Sequence, residues 1–129
     1  MYTILGIDDD PAYHALNKSI LEPKGYRFLS ATELAAGWKM ALKEKPDLLL
    51  LDIMMPEEKG FRDGFGLLEE FRRNESIQKT PIMMLSALSD ETDIKHGLEL
   101  GADDYLPKQL MTPDSLLKKV AKLLENKKA

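Results

Sequence analysis

Asp8, Asp9 and Asp10 stand in a row behind the apolar segment Thr3–Ile7, and Asp52 closes the all-leucine run at 48–51. Ser86 follows Ile82, Met83, Met84 and Leu85, and Lys108 comes two residues after Leu106. Each of these polar groups thus succeeds a run of apolar residues. Three carboxylates gathered within about 5 Å of one another would repel by roughly 3 kcal/mol per pair at an effective dielectric near 20. Such a cluster wants a cation. Hard oxygen ligands in an open, shallow setting favour Mg²⁺ or Mn²⁺, with waters and substrate oxygens completing the octahedron. A lysine and a hydroxyl on the other rim add donors aimed at the remaining oxygens of a phosphoryl group. The chemistry these residue types suit is phosphoryl transfer. Asp52 is the candidate nucleophile, because it alone projects from the centre of the pattern, between Leu51 and the loop of Met54, Met55 and Pro56.

That chemistry requires elements able to bring positions 8, 52, 86 and 108 together. Short apolar runs alternate with stretches of helical periodicity from end to end, the signature of an α/β fold with a parallel sheet. The predicted strands are Thr3–Ile7, 26–30, 47–51, 81–85 and 103–106. The third and fourth are almost wholly apolar, as central strands covered on both faces should be. In open α/β sheets the ligand crevice lies beyond the carboxyl ends of the strands. If the strand order reverses beside the first strand, then the first, third and fourth strands end side by side and their polar residues share one pocket.

Pro11 can open the first helix, with Tyr13, Leu16 and Ile20 as its buried stripe. Gly25 suits the turn into the second strand. Thr32 and Glu33 start a second helix that runs to about Lys45 and carries Leu34, Trp38 and Leu42. Gly64–Arg73 reads as a third helix with Leu67, Leu68 and Phe71 inward. Ser89, Thr92 and Asp93 resemble the start of a fourth helix, and Gly101 its end. Thr112, Pro113 and Asp114 open a fifth, through Leu116, Leu117, Val120 and Leu124, with Glu125 to Ala129 expected to fray. His14 and His96 are expected on solvent faces, His14 sharing one with Lys18. Lys118, Lys119, Lys122, Lys127 and Lys128 are read as a solvated helix face.

Composition bounds the alternatives. The 129 residues carry 22 acidic and 18 basic side chains, a net charge of −4, and no cysteine, which removes disulfide frameworks, thiolate zinc sites and cysteine nucleophiles together. The charge is of the wrong sign for a nucleic-acid binder that works by neutralising phosphates. No apolar run approaches the roughly 20 residues a membrane span needs, and Met1 to Ile7 lacks the charged start of a signal peptide. The expectation is one cytoplasmic domain over residues 1–129, with no nucleic acid or membrane as partner.

Four segments together resemble the signature segments of response-regulator receiver domains, in the family's order and near its spacing. They are Ile7-Asp8-Asp9-Asp10-Pro11; Pro46-Asp47-Leu48-Leu49-Leu50-Leu51-Asp52-Ile53-Met54-Met55-Pro56; Pro81-Ile82-Met83-Met84-Leu85-Ser86-Ala87; and Gly101-Ala102-Asp103-Asp104-Tyr105-Leu106-Pro107-Lys108. The resemblance covers essentially the whole chain. It implies a doubly wound (βα)5 flavodoxin-like sandwich, with a five-stranded parallel sheet in the order 2-1-3-4-5 and helices on both faces. It implies that Asp52 accepts a phosphoryl group from a phosphohistidine on a histidine kinase or histidine phosphotransfer protein. Asp9, Asp52 and the Met54 carbonyl would bind Mg²⁺ directly and Asp8 through water, while Ser86, the Ala87 amide and Lys108 would meet the new phosphoryl group. Ser86 and Tyr105 would be the switch, the ring turning inward to reshape the face of the fourth helix, fifth strand and fifth helix, where a downstream protein binds. The protein would then be no enzyme toward external metabolites, and a monomer or a phosphorylation-linked dimer. Nothing follows the fifth helix, so the expectation is a domain without an output domain, read out by binding.

Three departures from the family pattern stand out. Gln109, not proline, follows Lys108; a cis bond there would cost about 2.5–4 kcal/mol, so either the loop is trans and Lys108 is aimed differently, or strain is stored. The loop after Pro56 is about four residues longer than usual, with Glu57 to Arg62 ahead of Asp63-Gly64, and Phe61 either covers the site or packs beside the third helix. Gly6 stands where a β-branched residue is common and is expected to loosen the first strand. Met54 and Leu88, both apolar and two residues beyond Asp52 and Ser86, would hinder hydrolytic water and lengthen the life of an acyl phosphate. Two other readings compete. One is a receiver-like interaction module that is never phosphorylated. The other is a haloacid-dehalogenase-like phosphatase using Asp8 as nucleophile, which leaves Asp52 unexplained.

Overall fold

The computed structural model describes residues 1–128, with side chains as far as Asn126. Its elements are β1 (Thr3–Ile7), α1 (Pro11–Leu21), β2 (Arg27–Ala31), α2 (Leu34–Glu44), β3 (Leu48–Leu51), α3 (Gly64–Arg73), β4 (Ile82–Ser86), α4 (Glu91–Glu99), β5 (Asp104–Pro107) and α5 (Pro113–Lys128). The five strands are parallel and lie in the order β2-β1-β3-β4-β5. The order reverses at β1, so the ends of β1, β3 and β4 adjoin, as the ligand-crevice rule requires.

The side-chain period of two divides each strand between two cores. Leu5, Ile7, Leu49, Leu51, Ile82 and Met84 face the layer of Leu34, Leu67, Leu68 and Phe71, whereas Ile4, Leu48, Leu50, Met83, Leu85 and Leu106 face Leu21, Leu116, Val120 and Leu124. Because both faces are covered, β3 and β4 are buried throughout. This is why their sequences show no polar alternation. Among the described residues no helix is long and apolar enough to cross a membrane.

Strands two to five each begin one residue later than predicted, at positions 27, 48, 82 and 104. Two of the displaced acids work as side chains instead: Asp47 Oδ2 accepts the Thr3 amide at 2.8 Å, and Asp103 Oδ2 accepts the Ile82 amide at 2.9 Å. In α1 the predicted stripe holds for Ile20, which packs against the second core, and fails at Leu16. His14, Asn17 and Leu21 are the buried residues, and Leu16 is 42% exposed. His14 is therefore no surface residue. α4 is capped by Asp90, whose carboxylate accepts the Thr92 amide at 2.7 Å, and not by Ser89. The fifth helix starts as expected, with Thr112 Oγ1 accepting from the Ser115 amide and Ser115 Oγ from the Thr112 amide. Its backbone is helical through Lys128. Ala129 and the side chains at 127 and 128 lie outside the described residues.

The longer loop after β3 is a small hairpin. Glu58 and Phe61 exchange two backbone hydrogen bonds of 2.9 Å around Lys59 and Gly60, whose φ angles of 48° and 91° give the doubly left-handed turn that matches strand twist. Glu33, at the N-cap of α2, makes no capping bond with its side chain; Glu58 supplies one, its Oε1 accepting the Ala35 amide at 2.8 Å. Phe61 packs on Trp38 at 5.9 Å between centroids, and Trp38 stacks on Phe71 at 5.4 Å. The insertion thus lies against α2 and, through Trp38, reaches α3.

Candidate functional site

The end of β1 delivers Asp8 and Asp9, the end of β3 delivers Asp52, β4 ends on Ser86, and Lys108 opens the turn after β5. Asp8, Asp9 and Asp52 each offer a carboxylate oxygen within 4.8 Å of the other two. Asp8 and Asp52 are buried and Asp9 is exposed, so the pocket has one wet side. Asp10 stands apart as the N-cap of α1, its Oδ1 accepting the Ala12 amide at 2.9 Å.

Lys108 Nζ lies 2.7 Å from Asp8 Oδ2 and 3.4 Å from Asp52 Oδ2. All described peptide bonds are trans, so of the two alternatives the loop takes the trans one, and from it Lys108 reaches Asp8 and Asp52. Tyr13 of α1 helps to aim it: Nζ sits 3.8 Å from the Tyr13 ring centroid, a cation–π contact. Burial works against the ammonium charge. The hydrogen bond to Asp8 and the charges of Asp52 and Asp8 outweigh it and hold Lys108 above the usual lysine range.

Asp52 is pushed the other way. Burial, and then the charge of Asp8, raise its carboxyl above the ordinary value, while Lys108, the Met54 amide and the Ser86 hydroxyl pull it back. Met54 N–H donates to Asp52 Oδ1 at 3.2 Å. Ser86 is fully buried, and its Oγ also accepts the Leu88 amide at 3.3 Å. Three carboxylates against one ammonium leave a formal charge of −2 in the pocket. That charge, the hard oxygen donors and the exposed Asp9 fit a divalent cation that keeps part of its water.

Tyr105 is turned inward, 6% exposed, with its hydroxyl donating to the Leu88 carbonyl at 2.8 Å. Burial raises its phenol to about 12. Asp103 and Asp104, read as turn and strand-entry residues, bind Arg72 and Lys119 at 2.8 and 2.9 Å. His96 is exposed, its ring edge-on to Phe65 at 4.6 Å.

Sequence reasoning misses one contributor to the site, Tyr13, which the pattern places on a core stripe, and one cap outside it, Glu58, which the pattern leaves in a loop of undefined role. No local pattern marks either, because their partners are 95 and 23 positions away.

A doubly wound α/β sheet with an acidic pocket and a paired lysine at its carboxyl edge defines the class of fold, and comparison with known proteins gives the family. The family described as "Response regulator receiver domain" matches residues 4–121. The chain is 41% identical to the DNA-binding dual master transcriptional regulator RpaA of Synechocystis over 84% of its own length and 43% of that protein. It is 40% identical to the transcriptional regulatory protein GltR of Pseudomonas aeruginosa over 95% and 48%. The chain thus spans under half the length of these curated relatives. Among solved structures, the BeF3-activated N-terminal receiver domain of Klebsiella pneumoniae RstA is similar with a TM-score of 0.85 and 30% identity, over 95% of this chain and 97% of that one. A CheY-like receiver domain protein of Methanospirillum hungatei gives 0.88 and 28%, over 99% and 97%. The chain belongs to the receiver-domain family of two-component response regulators.

Proposed function

We propose that Asp52 is the phosphoacceptor and that Asp8, Asp9 and Asp52, with the Met54 carbonyl, hold Mg²⁺ or Mn²⁺. The observation that carries this reading is the convergence of three carboxylates within 4.8 Å, with Lys108 Nζ against two of them. The bound ion would supply positive charge against the oxygens of the incoming phosphoryl group. One Asp52 oxygen forms a bond to phosphorus as the bond from phosphorus to the imidazole nitrogen of a phosphohistidine breaks, and the histidine leaves with the electron pair. Lys108 already spans the two carboxylates, so a short shift brings it onto a phosphoryl oxygen. The Ser86 hydroxyl and Ala87 amide, at the end of β4, suit a second oxygen. Hydrolysis by water would return the carboxylate, and no external metabolite is turned over.

The donor is a histidine kinase or a histidine phosphotransfer protein, met in the cytoplasm, where response regulators usually work. The readout is a protein bound at the face of α4, β5 and α5, controlled through Ser86 and Tyr105. Within residues 1–129 a charge of −4 disfavours contact with nucleic-acid phosphates, even though relatives are named as DNA-binding regulators.

Incubation with Mg²⁺ and a small acyl phosphate, followed by intact mass, tests this reading. One added phosphoryl group is expected in the wild type, none in Asp52→Ala, and none without the metal. No adduct in the wild type would favour a receiver-like module that is not phosphorylated. An adduct lost in Asp8→Ala but kept in Asp52→Ala would favour a phosphatase-type nucleophile at Asp8.

A further inference from the structure

The backbone at Asp8 is fixed from an unexpected direction. Its N–H donates to the Ala31 carbonyl at 3.1 Å, its Oδ1 accepts the Asp10 amide at 2.9 Å, and its Oδ2 takes Lys108 at 2.7 Å. The remaining group, the Asp8 carbonyl, lies 2.8 Å from His14 Nε2, which is also 3.1 Å from the Ala31 carbonyl. Both partners are carbonyl oxygens, so Nε2 carries the hydrogen and shares it between them. One N–H therefore joins the last peptide of β2 to the first peptide beyond β1. It closes a ring of contacts through Ala31, Asp8 and His14, and it leaves His14 Nδ1 without a partner among the described residues.

His14 reaches this position because Gly6 has no side chain. A Cβ at Gly6 would stand 2.8 Å from Cζ of Phe28 and 3.3 Å from His14 Nδ1, and both rings occupy the space a β-branched residue would fill. His14 is 7% exposed and its ring centroid is 6.1 Å from that of Phe28. Glycine in β1 and histidine in α1 are two halves of one arrangement.

We propose that His14, seated by Gly6, is a positioning residue for the divalent-ion and phosphoacceptor site, fixing the turn from which Asp8 and Asp9 project. This inference rests on the phosphoacceptor reading given above. His14 touches neither ion nor phosphoryl group and acts through the Asp8 peptide. Removing the shared N–H takes the donor from the Asp8 carbonyl, leaves the Ala31 carbonyl with the Asp8 N–H alone, and frees the Asp8–Asp9 turn to rotate away from Asp52.

The test compares His14→Phe, which keeps a ring but has no donor, with His14→Gln, whose amide nitrogen can reach where Nε2 stood. Mg²⁺ titration should give a dissociation constant roughly tenfold higher for the Phe variant, the size expected when one hydrogen bond to a buried carbonyl is lost. The Gln variant should stay within about threefold of wild type. Amide hydrogen exchange at Asp10, whose N–H is held by Asp8 Oδ1, reads the same turn without metal and should be about tenfold faster in His14→Phe only. A lowered melting temperature with unchanged Asp10 exchange and unchanged Mg²⁺ affinity would reduce His14 to core filling and overturn the proposal. If the wild type itself ignores Mg²⁺, the metal reading fails while the exchange measurement still decides the role of His14.

Discussion

Asp52 is poised between two demands. Burial and the neighbouring Asp8 resist its ionisation, yet a nucleophilic carboxylate must be ionised. The folded chain therefore keeps the Asp52 proton to higher pH than the unfolded chain, whose carboxyl has the ordinary value of 3.8. Between that value and the raised one the folded state binds more protons, so the Asp52 contribution to stability falls as pH rises through this window. Asp52→Asn should thus melt higher than wild type at neutral pH in the absence of divalent ions. About 1 kcal/mol would appear as roughly 4 °C at this chain length. The gain should shrink as pH falls toward 4, and melting curves across that range check it. Asp52→Asn also gives up the 3.4 Å contact with Lys108, which offsets part of the gain, while the 2.7 Å bond from Lys108 to Asp8 stays. The sequence marked Asp8, Asp9, Asp52, Ser86 and Lys108 because each follows a run of apolar residues, a relation visible along the chain. Tyr13, His14 and Glu58 carried no such mark. Each is defined by a partner across the fold.

Elements were legible where burial alone decides them. Leucines at 48–51 with apolar residues at 82–85 could only be central strands. The inward face of α1 was not legible, because it depends on the space that Gly6 leaves in the strand beneath it, and an apolar count along the helix favours Leu16 over His14. Links between elements were equally hidden, and Arg72 is the clearest of them. Its guanidinium donates to the carbonyls of Gly101, Gln78 and Thr80 and to Asp103, at 2.8, 3.0, 2.7 and 2.8 Å, tying the end of α3 to the turns entering β4 and β5. Gly101 has φ 114°, and a Cβ there would lie 2.9 Å from Arg72 Cγ, so the turn and the arginine fit each other. Arg72→Met keeps the stem but abandons these acceptors, and it should cost roughly 3 kcal/mol of unfolding free energy in denaturant titration. Arg72→Lys should recover little of it, because an ammonium cannot span four separated oxygens.

At the scale of the whole molecule, an excess of negative charge is concentrated where the sheet opens. Of the net −4, a formal −2 lies in the pocket of Asp8, Asp9, Asp52 and Lys108, held there by the strand order and by the two packed cores behind it. The fold thus maintains a repulsion that the unfolded chain does not feel, since positions 9 and 52 separate on unfolding. A divalent ion that binds only the folded form should stabilise it by about 2.7 kcal/mol at a hundredfold excess over its dissociation constant, a rise of roughly 10 °C in the midpoint for a chain of this size. General screening is a rival explanation, so the comparison is with KCl at equal ionic strength, which should give only a small part of the shift. Asp9→Asn separates the two further. Asp9 is exposed, so its loss should leave the metal-free midpoint close to wild type while removing most of the Mg²⁺ response. A midpoint that rises equally in KCl and MgCl2, or a response that survives in Asp9→Asn, would mean that the carboxylates are gathered for some purpose other than holding an ion.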